Sequence, residues 1–112
     1  MPFVLPQLDH ERKDAAMYRG LLGYFPAALF RVAQHSVHSN RKHTPDDASG
    51  PHWARGKSAD HLDALLRHVC ELHADPEYHL AAIAWRALAA LQEHEERKGF
   101  KPGASSVFPE EP

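Results

Sequence analysis

Three stretches of this chain repeat apolar residues at the three- and four-residue intervals of an α-helix, and each is bounded by residues that start or stop helices. That punctuation constrains the fold more than any other feature. Pro26 suits a first helical position, where its missing N–H costs nothing, and Leu29, Phe30, Ala33 and Val37 then fall on one face to about His38. Ser58 reads as the cap of a second helix over Ala59–His73, with Asp60 in its first turn and a stripe of Leu62, Leu65, Leu66, Val69 and Leu72. Asp75-Pro76 opens a third, with Leu80, Ile83, Ala84, Ala87 and Leu91 on one side, running to about Lys98 before Gly99 and Pro102. No segment alternates with the period of a strand. The spacing therefore predicts an all-α fold, a compact bundle of about three main helices.

The rest of the chain organises around that bundle. Residues 1–20 read as a lead-in in which Asp9–Tyr18 makes a helical turn or two, residues 21–99 as the helical domain, and residues 100–112 as a flexible, Pro/Ser/Glu-rich tail. Between the first two helices, Asn40, Pro45, Asp46, Asp47, Gly50, Pro51 and Gly56 break any periodicity from Ser39 to Lys57. Loops of that length in small domains are either functional or disordered, and Trp53 among His52, Arg55 and Lys57 favours function.

Composition then narrows the classes. A formal charge of −2 over 112 residues argues against general binding of nucleic acid or of a membrane surface. No apolar run approaches the roughly 18–20 residues of a membrane span, and Met1–Leu8 lacks the apolar core of a signal peptide. With the single Cys70, which rules out an intrachain disulfide, these features predict a cytoplasmic protein. Ten histidines are the unusual count, and they are dispersed. Most are expected on solvated helix surfaces, and a few at a site for metal or phosphate.

At about 100° per residue, His61 and His68 share the margin of the second helix's stripe, and His79 and Arg86 share that of the third. Antiparallel packing would bring the two margins together beside Arg55 and Lys57, giving an anion-binding cleft with Trp53 available to stack on a base. Asp60, Asp63, Arg67 and Glu71 lie on the polar face, where exposed intrahelical ion pairs are the competing explanation. Asp60, Asp63, Glu71 and Asp75 are candidate carboxylates for a hard metal, Mg²⁺ or Mn²⁺. His35 and His38 share one polar side, and His43 and His52 bracket the loop. No CxxC set, HExxH or Walker glycine loop is present.

The run Tyr24-Phe25-Pro26, the residues Asn40, His43 and Pro45, and above all His52-Trp53-Ala54-Arg55-Gly56-Lys57-Ser58 form a pattern with Arg67-His68 and Trp85-Arg86-Ala87-Leu88-Ala89. This pattern, spread over roughly Arg19 to Glu96, resembles the dATP/dGTP diphosphohydrolase N-terminal domain family of phages and prophages. The resemblance implies hydrolysis of a purine deoxynucleoside triphosphate to monophosphate and pyrophosphate with a divalent metal, in a phage protein within the host cytoplasm. It implies phosphate contacts from Arg55, Lys57, Arg67 and Arg86, with His43 and His52 beside them, and stacking on Trp53. His68 and His79 would serve proton transfer, and Asp60, Asp63 and Asp75 would hold the metal. A nucleotide-binding module without catalysis, and a structural or accessory phage protein, are the competing expectations. The Ala81, Ala82, Ala89 and Ala90 surfaces of the third helix, with the thin core of a chain this short, predict a homo-oligomer.

Overall fold

The computed structural model describes residues 7–43, 53, 55–57 and 59–98. The expectations for residues 1–6 and 100–112, for His52 and Ser58, and for most of the loop lie outside the described residues. A short helix α1 (Asp9–Asp14) and a single π-turn (Tyr18–Leu22) precede α2 (Pro26–His43), and a 3₁₀ turn (Arg55–Lys57) precedes α3 (His61–Cys70) and α4 (Pro76–Arg97). Among the described residues there is no strand, so the fold is all-α, as the punctuation predicts.

Helix boundaries follow backbone chemistry more closely than side-chain polarity. Helix α2 continues past His38 to His43, through Ser39 and Asn40. Helices end near the residue preceding a proline, and the first proline beyond Pro26 is Pro45, so Ser39 and Asn40 are too weak to stop it. Helix α3 is shorter than expected at both ends. Asp60, not Ser58, occupies its cap position, and its carboxylate reaches Arg67 instead of the backbone. The chain leaves the helix at Cys70 and turns through residues 71–74, because Pro76 pushes Asp75 out of the helical region, to φ −153° and ψ 85°. Asp75 then accepts a bond from the Tyr78 N–H at 3.2 Å, and α4 runs its expected length. In the π-turn, the Gly23 N–H donates to the Tyr18 carbonyl at 2.7 Å. A Cβ on Gly23 would meet the Arg19 and Tyr18 carbonyl oxygens at 3.1 and 3.2 Å.

Helix α4 is the centre of the assembly, with α2 and α3 each packed along it. Both neighbours run antiparallel to it: His35 lies against Tyr78 near the start of α4 while Phe25 shares a groove with Leu88 and Leu91 further along, and His68 meets His79 while His61, near the start of α3, reaches Arg86 and Glu93. The packed faces are not the expected leucine stripes. On α3 the buried residues are His61 and Ala64, with Leu65, His68 and Leu72 half-buried, whereas Leu62 and Leu66 remain 65% and 60% exposed. On α4 the inward face is His79, Ala82, Arg86, Ala89, Glu93 and Glu96, while Leu80, Leu88 and Leu91 are turned out. Small alanines let the helices approach closely, and the long polar side chains fill the remaining seam. Among the described residues Val32 is the largest buried apolar side chain. Leu62, Leu66, Leu80 and Leu91, expected in the core, are thus corrected to an outer surface, and the His/Arg margins line the interior beside half-buried Leu65 and Leu72.

Candidate functional site

Seven-residue spacing on two antiparallel helices places their margins in one register. Two helical turns cover about 7.2 residues, so His61 and His68 on α3 meet Arg86 and His79 on α4 in two successive rungs. The Nδ1 atoms of His68 and His79 are 2.9 Å apart. One of the two rings must accept, so that ring carries no proton on Nδ1. In the next rung the Arg86 guanidinium donates to His61 Nδ1 at 3.0 Å. An arginine has only protons to offer, so the neutral His61 ring keeps its proton on Nε2. That Nε2–H is buried, 3.4 Å from Glu93 Oε1, and lacks the alignment of a hydrogen bond.

A third rung closes the seam beyond α3. The Arg55 guanidinium donates to Glu96, with side chains 11% and 2% exposed, and lies 3.9 Å above the Trp53 ring. Gln92 Nε2 lies 3.5 Å from the other carboxylate oxygen of Glu96. Trp53, His61 and Trp85 form a mutual edge-to-face triad with ring centres 5.8–6.0 Å apart. The segment that carries Trp53 and Arg55 is therefore docked onto the second half of α4. One face of Trp53 is covered by Arg55.

At the other end of the seam α2 joins in. His35 and His68 both contact the Tyr78 ring, at 5.5 and 5.8 Å, and His79 lies 3.9 Å from Glu71. Burial holds the His35 imidazole below its ordinary pKa, helped by repulsion from His68, Arg86 and His38. Burial likewise lowers His68, with His79 and Arg86 adding to the effect, Glu71 opposing it and Arg67 contributing least. Three helices thus bring His35, His68 and His79 around the Tyr78 ring, and the Arg86 charge one rung away is felt there.

The remaining candidates are dispersed. Arg67 pairs with Asp60 at 2.8 Å on the outer surface, 63% and 45% exposed, which raises the Arg67 pKa first through that hydrogen bond. An open cleft of about 320 Å³ lies beside them, lined by Asp60, His61, Asp63, Glu93 and Arg97 among others. Asp75 caps α4 beyond the other end of α3, a ten-residue helix of about 15 Å. The three proposed metal ligands therefore do not converge. Among the described residues no three His, Cys, Asp or Glu side chains gather to hold an ion; Asp60 and Asp63 line one cleft, and Asp75 lies apart from it. His43 ends α2 and Lys57 ends the 3₁₀ turn. Of the partners in the seam, the sequence reading missed Glu93 and Glu96. Carrying the His79–Arg86 and Ala82–Ala89 spacings one step further along α4 would have found both.

Fold and seam together define a class: a small antiparallel helical module zipped by buried imidazole, guanidinium and carboxylate groups. Compared with known protein families, curated proteins and solved structures, the chain matches none. Among the described residues no helix is long and apolar enough to cross a membrane.

Proposed function

We propose that this chain is a helical module that binds the phosphate groups of a purine nucleotide, without cleaving it. The observation that carries the reading is the gathering of His35, His68 and His79 from three helices around Tyr78, with Arg86 one rung away and Glu71 3.9 Å from His79. Holding two imidazoles below their ordinary pKa means that a second positive charge is resisted there. A phosphate would relieve that repulsion, accept bonds from the rings and Arg86, and draw protons onto the histidines. The purine comes from the family resemblance, not from a base-shaped pocket. Asp60 and Asp63 line one cleft while Asp75 caps α4, so the three carboxylates that the resemblance would have act together lie apart.

Calorimetric titration with dATP, dGTP and inorganic pyrophosphate tests the reading, alongside an assay for pyrophosphate release in Mg²⁺ or Mn²⁺. Binding of all three, tighter at about pH 6 than at about pH 8, is expected from the uptake of protons by groups with an ordinary pKa near 6.5. Ligand at about 100 times its Kd would add roughly 2.7 kcal/mol of stability. Absence of binding at millimolar nucleotide would refute the proposal. Release of pyrophosphate would replace it with the hydrolase.

A further inference from the structure

The Arg86 rung leaves one polar atom of the interior without a bond. His61 is 4% exposed, and its Nδ1 accepts from the Arg86 guanidinium at 3.0 Å, which keeps the ring proton on Nε2. That Nε2–H is buried and meets no acceptor among the described residues, because Glu93 Oε1, at 3.4 Å, is out of line. Buried donors in folded proteins are nearly always completed by a partner. Trp53 and Trp85 pack edge-on against the same ring, so Nε2 is the one polar point left on it. It points away from Arg86 to the Glu93 side, where an open cleft of about 320 Å³ is lined by Asp60, His61, Asp63, Ala90, Glu93 and Arg97 among others. The first turn of α3 forms one wall, and its N–H groups receive no bond from the Asp60 side chain.

We propose that this cleft binds a sugar ring through two neighbouring hydroxyl groups. A hydroxyl gives and takes at one atom: its oxygen accepts from His61 Nε2–H while its proton goes to Glu93, joining two groups that the fold leaves out of line. The hydroxyl on the next carbon donates to Asp63, and Ala90 offers apolar surface to the C–H face of the ring. Other ligand classes fit less well. An ammonium group has three protons and no lone pair, so it leaves the Nε2–H unmet. A metal ion needs a bare ring nitrogen, and Arg86 on Nδ1 holds the proton on Nε2. An anion would accept that proton but faces Asp63 and Glu93, against which Arg97 sets one positive charge, while Asp60 is balanced by Arg67. The volume lies at the lower end of the range for ligand clefts, about 300–1,000 Å³, which suits a single ring. This inference stands independently of the nucleotide reading.

Proton–nitrogen NMR on the full chain, titrated with methyl ribofuranoside in a buffer free of phosphate and nucleotide, reads the result. The His61 ring is expected with its proton on Nε2. Millimolar riboside should shift that resonance and the amides of residues 59–63, and tetrahydrofuran, the same ring without hydroxyls, should not. Glu93→Leu and Asp63→Ala should each weaken binding about tenfold or more, the weight of a hydrogen bond to a charged group. Leu66→Ala, at an exposed leucine of α3 outside the cleft, should leave it unchanged. A cleft that holds only water gives no response to the riboside and overturns the proposal. So does a response to Mg²⁺, putrescine or inorganic phosphate in place of the riboside, or a His61 ring with its proton on Nδ1. Riboside binding that survives both cleft substitutions overturns it too. If Glu93→Leu fails to fold, Asp63→Ala, at an exposed position, decides.

Discussion

Replacing Glu96 by alanine isolates the rung that ties the Trp53–Lys57 segment to α4. The Glu96 side chain is 2% exposed and that of Arg55 is 11% exposed, so the substitution leaves a guanidinium charge in a nearly closed site. Breaking a buried pair by removing one partner costs about 3–5 kcal/mol. The lower end applies here, because Arg55 keeps its place over the Trp53 ring at 3.9 Å and a small opening to water. A loss of about 3 kcal/mol lowers the melting temperature by roughly 12–24 °C, at about 4–8 °C per kcal/mol for a domain of this size. Urea unfolding should be followed both by tryptophan fluorescence and by circular dichroism. Trp53 and Trp85, the chain's two tryptophans, sit 5.8 Å apart beside this rung and report its undocking directly. The double variant Arg55→Met with Glu96→Leu, which removes both charges together, should recover most of the loss. A Glu96→Ala protein within about 1 kcal/mol of the parent would refute the reasoning and return Arg55 to the pool of groups available for a ligand.

Three further outcomes follow from the seam and the caps. Stability should fall with pH below about 6.5, the ordinary histidine pKa, because His35 and His68 are lowered in the fold and the unfolded chain takes up their protons first. The loss should level off once pH drops below the folded values, and His68→Asn should flatten the dependence of the urea midpoint on pH. Asp75→Ala removes the cap on the Tyr78 N–H and should cost about 1 kcal/mol in urea unfolding. Arg67→Ala breaks only an exposed pair with Asp60, so the melting temperature should be unchanged. If Arg67 contacts phosphate, as the family pattern implies, the same variant should weaken pyrophosphate binding, and unchanged affinity would remove it from the site.

Much of this architecture is legible before any coordinates. The helix class follows from punctuation, and the meeting of His61 and His68 with Arg86 and His79 follows from equal spacing on antiparallel helices. What misleads is the hydrophobic stripe. Leu62, Leu66, Leu80 and Leu91 look like core because apolar residues at helical spacing normally face inward. Here Ala64, Ala82 and Ala89 occupy the closest approach between helices, and only long polar side chains on the same faces span what is left. The Arg55–Glu96 rung is illegible for another reason. No local periodicity links an irregular segment to a helix end 41 residues later. The separation of Asp75 from Asp60 and Asp63 was hidden for a similar cause, since residue type and number fix neither end of a helix in space.

The three rungs of the seam also set an order in time. His68–His79 closes a separation of 11 residues, His61–Arg86 one of 25, and Arg55–Glu96 one of 41, each loop nested around the last. Loop-closure entropy makes the outermost contact about 1.2 kcal/mol harder to reach than the innermost if each formed alone. Zipping outward from the turn at residues 71–74 avoids most of that penalty, since each closed rung shortens the loop left for the next. The histidine pair nearest the turn therefore acts as the starting tooth of the zipper, and the aromatic-basic segment around Trp53 is the last part to lock and the first to open.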